Sequence, residues 1–187
     1  MKPNWFVGLP VAAERWLSRL VADAPDFLRL FHPADLHATV AFLGPCGAER
    51  AQLAWQQLAG VELTSFVVTL GGLKALGNPR RPSALAVVVR DGFDQAAALI
   101  GALRGPMVAA AGARADTRPP LPHITVARIG RKASGRQRRD ALAWVEAKAP
   151  IGAEVTLDRI GLYTWAEDRR LRQFRAIEER RFERTPS

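Results

Sequence analysis

Two of the three histidines in this chain of 187 residues occur in the same short pattern, a histidine followed two positions later by a threonine. The pattern appears as His37-Ala38-Thr39-Val40 and again, 86 positions further on, as His123-Ile124-Thr125-Val126. Residues i and i+2 of a β-strand project from the same face, so each copy would hold an imidazole and a hydroxyl side by side. The third histidine, His32, precedes a proline and is interpreted as a loop residue.

Two imidazoles and two hydroxyls that face one cleft could carry out phosphodiester chemistry without a metal ion. A neutral imidazole can accept a proton from an attacking oxygen, while a protonated one donates a proton to the leaving oxygen. The hydroxyls of Thr39 and Thr125 can donate hydrogen bonds to the non-bridging phosphate oxygens. With a single cysteine, Cys46, and no clustered carboxylates beside the motifs, neither a metal site nor a cofactor is predicted. Two purely structural histidines would account for one motif better than for a matched pair.

The elements predicted around the motifs repeat in the order β-α-β-α-β, in two halves of the chain at roughly 4–71 and 84–160. Each motif lies in the middle strand of its half, which implies two lobes facing each other. A turn-rich stretch, Gly71–Ser83, separates the halves, and a terminal hairpin is predicted within 161–182. The predicted strands are Trp5–Leu9, Leu36–Leu43, Glu62–Leu70, Ala84–Arg90, His123–Ile129 and Val155–Ile160, and helices are predicted near 11–22, 51–58, 93–103 and after the second motif.

The charge of the chain favours an anionic partner. Lysine and arginine number 27 against 18 aspartates and glutamates, a formal net charge of +9. Most of these bases are arginine, whose planar guanidinium suits phosphate, although an arginine-rich genome is an alternative cause. The apolar stretches are too short to span a bilayer and no signal peptide is recognised, so a cytoplasmic protein without a membrane partner is expected. Five bases after the second motif could form either an RNA track or a solvated helix face: Arg131, Lys132, Arg136, Arg138 and Arg139.

Three segments of the chain resemble the 2H phosphoesterases, and most closely the bacterial and archaeal RNA 2′,3′-cyclic phosphodiesterases long called 2′-5′ RNA ligases. Trp5–Pro10 resembles the opening strand of that family, Leu36–Gly44 its first signature and Pro122–Arg128 its second. The resemblance implies an α+β fold with two lobes related by a pseudo-twofold, antiparallel sheets facing a central cleft and helices outside. It also implies a substrate, RNA ending in a 2′,3′-cyclic phosphate that is opened to a 2′-phosphate, with 2′-5′ ligation as the possible reverse reaction.

The same resemblance implies roles for individual residues. His37 corresponds to the proton donor of the family and His123 to its proton acceptor. Phe42 and Arg128, each five positions after its motif histidine, match positions expected to bind substrate. An ideal strand points an i+5 side chain away from the face of the histidine, so a bulge or a strand end must redirect both residues if they touch substrate. The chain departs from the family pattern at Leu162–Asp168, where a serine-containing, glycine-flanked hairpin is common.

These observations predict one 2H phosphoesterase domain over residues 1–187, monomeric and active on RNA without a metal. Two other functions remain open. One is a small-molecule phosphodiesterase acting on a cyclic nucleotide or an ADP-ribose cyclic phosphate. The other is an RNA-binding or processing module without turnover, which would have no need to keep two imidazoles.

Overall fold

The computed structural model describes residues 2–183, and these form an α+β fold with nine strands and four α-helices. The α+β class and the repeated order of elements are therefore confirmed. The predicted domain also includes residues 1 and 184–187, which lie outside the described residues, and its extent stays a prediction. The elements are β1 Trp5–Pro10, α1 Glu14–Val21, β2 Arg29–Leu30, β3 His37–Gly44, α2 Ala48–Gln56, β4 Phe66–Asn78, β5 Arg81–Val89, α3 Phe93–Ala110, β6 His123–Arg128, α4 Gly135–Glu146, β7 Glu154–Leu157, β8 Arg159–Trp165 and β9 Phe174–Arg181.

The strands follow one hydrogen-bonded order, β7-β4-β5-β6-β3-β1-β8-β9, and the short strand β2 pairs with the end of β6. The strand pairs along this order are antiparallel, as the resemblance implied. The two motif strands, β3 and β6, stand at the centre and share one register pair, Ala38 with Ile124. We call the strands on one side of this junction (β3, β1, β8, β9) the His37 lobe and those on the other side (β6, β5, β4, β7) the His123 lobe.

Each sequence repeat places its last strand in the other lobe. β4 follows the first motif along the chain but pairs with β5 of the His123 lobe, and β8 follows the second motif but pairs with β1 of the His37 lobe. The segment predicted as one strand, Val155–Ile160, is divided between lobes at Asp158, because β7 pairs with β4 and β8 with β1. The terminal hairpin is confirmed as β8 and β9.

The stretch interpreted as turn-rich, Gly71–Ser83, is mostly strand. β4 and β5 form a long antiparallel hairpin in which only two residues, 79–80, lie outside the strands. The glycines of this stretch lie at irregularities of the ladder, between Leu70 and Leu73 and again between Leu76 and Gly77. A Cβ at Gly71 would lie 2.9 Å from the carbonyl oxygen of Val88, so this glycine permits a close strand approach instead of a turn.

The core lies between the sheet and the helices. Alternate residues of the motif strands point into it, namely Ala38 and Val40 of β3 and Ile124 and Val126 of β6. Helix α3 packs against β3 and contributes the fully buried Met107. This packing fixes which face of each motif strand is turned away from the core. No helix within residues 2–183 is long and apolar enough to cross a membrane.

Gly161 in β8 accommodates the ring of Tyr163, which folds back over it. A Cβ at position 161 would lie 2.6 Å from Tyr163 Cε2 and 2.7 Å from its Cζ and hydroxyl oxygen. The ring is buried and stacks on Phe6 with 5.2 Å between centroids. A side chain at position 161 therefore has to displace a packed aromatic ring.

We predict that Gly161→Ala lowers the free energy of unfolding by about 1–3 kcal/mol, because overpacking forces Tyr163 out of its stack. Urea denaturation of the variant beside the wild type measures this change. Gly130→Ala is the matched control, since nothing lies within 4 Å of a Cβ at that position. Equal stability of Gly161→Ala and Gly130→Ala would contradict the packing argument.

Candidate active site

The two motifs present their histidines and threonines on the same face of the sheet, as their spacing predicted. His37, Thr39, His123 and Thr125 are half-buried, whereas the residues between them are buried in the core. The alternation follows directly from the two-residue period of a strand. The structure thus gathers both pairs on the face of the motif strands opposite their core residues.

The junction of β3 and β6 arranges the two pairs around a pseudo-twofold. Ala38 and Ile124, which form the register pair, are equivalent residues, because each directly follows its motif histidine. In that antiparallel register, His37 lies across from Thr125 and His123 across from Thr39. Directly opposed residues have their Cβ atoms about 5 Å apart. Each imidazole is therefore beside the hydroxyl of the other motif, so the four side chains form one cluster.

A β-bulge in β3 redirects Phe42 onto the face of the cluster. Gly8 of β1 pairs with Thr39, but the next residue, Val7, pairs with Ala41, so Val40 is the extra residue. Val40 and Ala41 are consequently both buried. Phe42 is 57% exposed, which places an aromatic ring at the site in contact with solvent.

β6 contains a bulge at the equivalent position. Ala86 of β5 pairs with Thr125 and the preceding Leu85 pairs with Ala127, which leaves Val126 as the extra residue. Arg128 is thereby turned to the face of His123 and is half-buried. Both bulges fall three residues after the histidine, so the two i+5 residues, an aromatic and a cation, occupy equivalent places. The sequence predicts that a bulge or a strand end redirects these residues if they touch substrate, and both strands contain a bulge.

Each motif histidine is oriented by a carbonyl two residues before it. His37 Nδ1 lies 2.7 Å from the carbonyl oxygen of Asp35, and His123 Nδ1 lies 2.6 Å from that of Leu121. A carbonyl only accepts hydrogen bonds, so Nδ1 carries the proton and donates in both rings. This leaves each Nε2 as the atom that gains or loses a proton.

Three aromatic rings enclose His37. Phe6 of β1 stacks on the imidazole at 4.4 Å between centroids, Tyr163 lies 6.2 Å from the imidazole and also stacks on Phe6, and Phe174 of β9 contacts the imidazole edge-on at 5.5 Å. Burial among these rings lowers the pKa of His37 to about 4, although its bond to the Asp35 carbonyl and the Asp35 charge act in the opposite direction. Gly8 leaves room for the ring, since a Cβ there would lie 3.2 Å from His37 Cδ2.

The surroundings of His123 are more open. The positions on β5 that correspond to Phe6 and Gly8 are Ala84 and Ala86, which pair with Arg128 and Thr125. Small side chains at these positions leave space above the second motif. Burial still lowers the pKa of His123, and the positive charges of Arg128 and Arg118 lower it further.

The open space is a cleft of about 950 Å³ that reaches from the motifs to the segment before β6. Its lining includes Thr39, Phe42, His123, Thr125 and Arg128. Five of the six site residues expected from the sequence therefore line one cleft, and His37 lies at the β3–β6 junction beside it. A second cavity, of about 780 Å³, lies between α1 and residues 148–153 and contains none of them.

Arg128 faces another cation across the strand pair. It pairs in register with Arg29 of β2, whose charge together with burial lowers the pKa of Arg128. Like charges directly opposed in a sheet are unfavourable. Arg29 donates to Gln173 Oε1 at 2.9 Å, and within the described chain no carboxylate forms an ion pair with Arg128. An anion in the cleft would offset this repulsion.

Asp35 is a positioning residue that sequence reasoning missed. Its buried carboxylate accepts hydrogen bonds from the backbone N–H groups of Gln173 and Phe174, at 2.6 and 3.2 Å. It thus fixes the start of β9 and with it the Phe174 ring against His37. Phe6, Tyr163 and Phe174 were missed as well, because their contact with His37 arises from strand pairing and no local motif marks it.

The basic residues after the second motif serve in part to hold the chain together. Arg138 donates to the carbonyl oxygens of Pro82, Gly130 and Arg131, and Arg81 also donates to that of Arg131. None of the five lines the cleft. In the described part of the chain, no three His, Cys, Asp or Glu side chains form a group that could hold a metal ion.

Known proteins are similar to this chain in sequence or in fold. An RNA 2′,3′-cyclic phosphodiesterase of Geobacillus stearothermophilus is 31% identical over 137 residues, which cover 68% of this chain and 42% of that protein, less than half its length. A Bacillus subtilis protein of the same name is 25% identical over 143 residues, 68% of this chain and 72% of that protein. The crystal structure of Escherichia coli LigT complexed with 3′-AMP has a TM-score of 0.72 at 21% identity, covering 97% of this chain and 99% of that one.

A two-lobed α+β fold with a histidine-threonine pair in each central strand defines the class of two-histidine phosphoesterases. Residues 9–169 match the sequence profile of the 2′-5′ RNA ligase superfamily. The chain belongs to that superfamily, so the resemblance stated from its signature strands is confirmed.

The enclosure of His37 predicts that its Nε2 is unprotonated in the free protein near pH 7, with a pKa of about 4. In the unfolded chain this imidazole has its ordinary pKa of about 6.5. Because the folded state binds the proton less tightly, the free energy of unfolding should fall as pH falls from about 6.5 to about 4. Replacing the half-buried Phe174 by Ala admits water to the ring edge and should raise the pKa towards its ordinary value. NMR titration of the imidazole measures both.

Phe42→Ala is the control for this titration, because Phe42 is exposed and stands outside the ring stack around His37. It should leave the pKa of His37 near that of the wild type. A wild-type pKa of His37 near 6.5, or the same shift in both variants, would show that the aromatic enclosure does not desolvate the imidazole.

Proposed function

We propose that the protein hydrolyses RNA ends that carry a 2′,3′-cyclic phosphate and releases a 2′-phosphate. The observation that carries this proposal is the cluster of His37, Thr39, His123 and Thr125 about the pseudo-twofold, with each imidazole across from the hydroxyl of the other motif. Such a cluster can surround one phosphorus atom. The names of the two curated relatives, which are both RNA 2′,3′-cyclic phosphodiesterases, support the choice of substrate.

In the proposed reaction, water attacks the cyclic phosphorus in line with the bond to O3′. His123 Nε2 takes a proton from the attacking water as the new P–O bond forms. The P–O3′ bond breaks, and His37 Nε2 donates a proton to O3′, which leaves a 3′-hydroxyl and a 2′-phosphate. Thr39 and Thr125 donate hydrogen bonds to the non-bridging oxygens, where negative charge develops. A 5′-hydroxyl in place of water would give a 2′-5′ linkage by the same steps, with His123 taking the proton of that hydroxyl and His37 donating a proton to O3′ as the P–O3′ bond breaks.

The charges around the two histidines support this division of roles. His37 has the Asp35 carboxylate nearby, which favours its protonated form, whereas Arg128 favours the neutral form of both histidines and Arg118 adds to this effect at His123. In the free cleft, burial keeps both pKa values below the ordinary value. A bound phosphate adds negative charge beside both histidines and raises both pKa values, and the Asp35 carboxylate adds to this effect at His37, which favours protonation of the acid when substrate is present.

Arg128 and Phe42 complete the proposed substrate site. The phosphate would lie within reach of Arg128 and neutralise the repulsion between that guanidinium and Arg29. Phe42 offers an exposed ring at the equivalent place of the other lobe, suited to stacking on a base or ribose. The two bulges thus supply one contact to the charged part of the substrate and one to its apolar part.

We predict that the purified protein converts an oligonucleotide ending in a 2′,3′-cyclic phosphate to one ending in a 2′-phosphate, and that excess EDTA leaves the rate unchanged. The chemistry assigned above is proton transfer between imidazoles and needs no Lewis acid. Phosphorus NMR distinguishes the 2′- from the 3′-phosphate product. A strict requirement for added divalent metal, or release of a 3′-phosphate, would contradict the proposed mechanism.

The division of roles predicts that His37→Ala and His123→Ala both lose most turnover on the RNA substrate but differ on a phosphodiester with a nitrophenolate leaving group. This leaving group needs no proton, so His37→Ala should recover much of its rate while His123→Ala should not. The kcat/KM of the wild type should follow a bell-shaped pH profile whose two limbs belong to the coupled pair.

His32→Ala is the control, because His32 lies in the turn before β3 and its imidazole accepts a bond from the backbone of Ala34. It should act as the wild type on both substrates. Recovery in His123→Ala alone would reverse the roles. Recovery in neither variant would mean that the histidines bind and orient the phosphate without transferring protons.

A further inference from the structure

The segment that precedes β6 forms one wall of the cleft and carries charged side chains that the proposed reaction does not use. Arg114, Asp116, Thr117 and Arg118 all line the cleft, together with Arg104 of α3. With Arg128, the lining holds four guanidinium groups and one carboxylate. The cleft therefore remains strongly cationic beyond the side chains assigned to the reaction.

Arg118 is exposed, yet its guanidinium is held in one orientation. Its side chain is 83% exposed, and its Nε and Nη2 donate to the two carboxylate oxygens of Asp116 at 2.8 and 2.7 Å. The bond from Arg118 keeps the pKa of Asp116 at about 2, so the carboxylate stays ionised. Arg104 donates to the carbonyl oxygen of Arg118 at 2.6 Å and thereby attaches the segment to α3.

The two hydrogen bonds from the Arg118 guanidinium to Asp116, which we call the clamp, leave most of that guanidinium free to bind a ligand. Asp116 occupies two of the five N–H donors of Arg118, so about three remain for an anion. Such a preoriented fork suits the non-bridging oxygens of a phosphodiester. Its charge reaches the reaction centre, because Arg118 lowers the pKa of His123.

The chemistry of the substrate determines which phosphate can meet this residue. A nucleotide with a 2′,3′-cyclic phosphate is the last of its chain, so the polymer continues only from its 5′ oxygen. The next anionic group is therefore the phosphodiester on the 5′ side. We propose that Arg118 binds this phosphodiester and makes an oligonucleotide a better substrate than a cyclic mononucleotide. The inference rests on the function proposed above and adds the length of RNA that the cleft recognises.

The test compares kcat/KM for a cyclic-phosphate-terminated oligonucleotide with kcat/KM for a nucleoside 2′,3′-cyclic phosphate. Arg118→Ala should lower kcat/KM for the oligonucleotide by about tenfold or more, a loss typical of a hydrogen bond to a charged group. It should change kcat/KM for the mononucleotide little. The slope of log kcat/KM against log salt for the oligonucleotide should become shallower by about 0.7, the value for one contact to a single strand.

Arg170→Ala is the matched control. Arg170 makes the same clamp with Asp168, through its backbone N–H, Nε and Nη2 at 2.9, 3.1 and 3.0 Å, and its side chain is 91% exposed. It lies in the turn between β8 and β9 and does not line the cleft. The variant should match the wild type on both substrates.

Binding separates a failure of this inference from a failure of the proposed function. A dinucleotide ending in a 2′-phosphate and a nucleoside 2′-monophosphate are titrated against the full chain without turnover. If Arg118→Ala weakens binding of the dinucleotide but not of the nucleoside 2′-monophosphate, the contact is supported. This holds even if the wild type hydrolyses neither cyclic substrate, a result that would overturn the proposed hydrolysis alone. The role of Arg118 would be overturned if Arg118→Ala lost the same affinity for both ligands or lost no affinity. It would also be overturned if Arg170→Ala lost as much affinity as Arg118→Ala.

Discussion

The register pair between Ala38 and Ile124 is the constraint on which the rest of the site depends. It joins the two lobes at equivalent residues and so fixes the relative position of four side chains with one strand contact. Sliding β3 by one residue against β6 would turn the motif side chains into the core, because strand faces alternate. The buried neighbours Val40 and Val126 make such a slip costly. The geometry of the cluster is thus set by packing on the opposite face of the sheet.

The pseudo-twofold is broken by the side chains around the histidines, while the backbone keeps it. Both motif strands have a bulge at the equivalent place, and each imidazole donates to the carbonyl oxygen two residues before it. On the His37 lobe the space is filled by Phe6, Tyr163 and Phe174, and on the His123 lobe alanines leave it open. Identical groups thus lie in unlike surroundings, and burial among different neighbours lowers the pKa of each.

Local patterns predicted the parts of the site that depend on local structure. The strand period alone placed His37 with Thr39 and His123 with Thr125, and apolar spacing found the strands that hold them. The same period indicated that a bulge or a strand end must redirect Phe42 and Arg128 if they touch substrate, but the position of the bulges at Val40 and Val126 depends on the register with β1 and β5.

The same patterns did not predict contacts between residues that are distant in sequence. The rings around His37 and the carboxylate of Asp35 meet it only through strand pairing distant in sequence. Glycines in Gly71–Ser83 were read as turns because composition does not separate a turn from an irregular ladder. No local sequence pattern indicates the exchange of strands between lobes, in which β4 pairs with β5 of the His123 lobe and β8 with β1 of the His37 lobe.

That exchange has a consequence for how the chain is made. The His123 lobe draws β4, β5, β6 and β7 from one continuous stretch, residues 66–157, so it can assemble while the ribosome still holds the rest. The edge of β1 in the other lobe has to wait for β8, about 150 residues later in synthesis. During that interval β1 has an unpaired edge, a surface on which strands of other chains can add. The pairing of β8 with β1 therefore removes a site at which the nascent chain could aggregate.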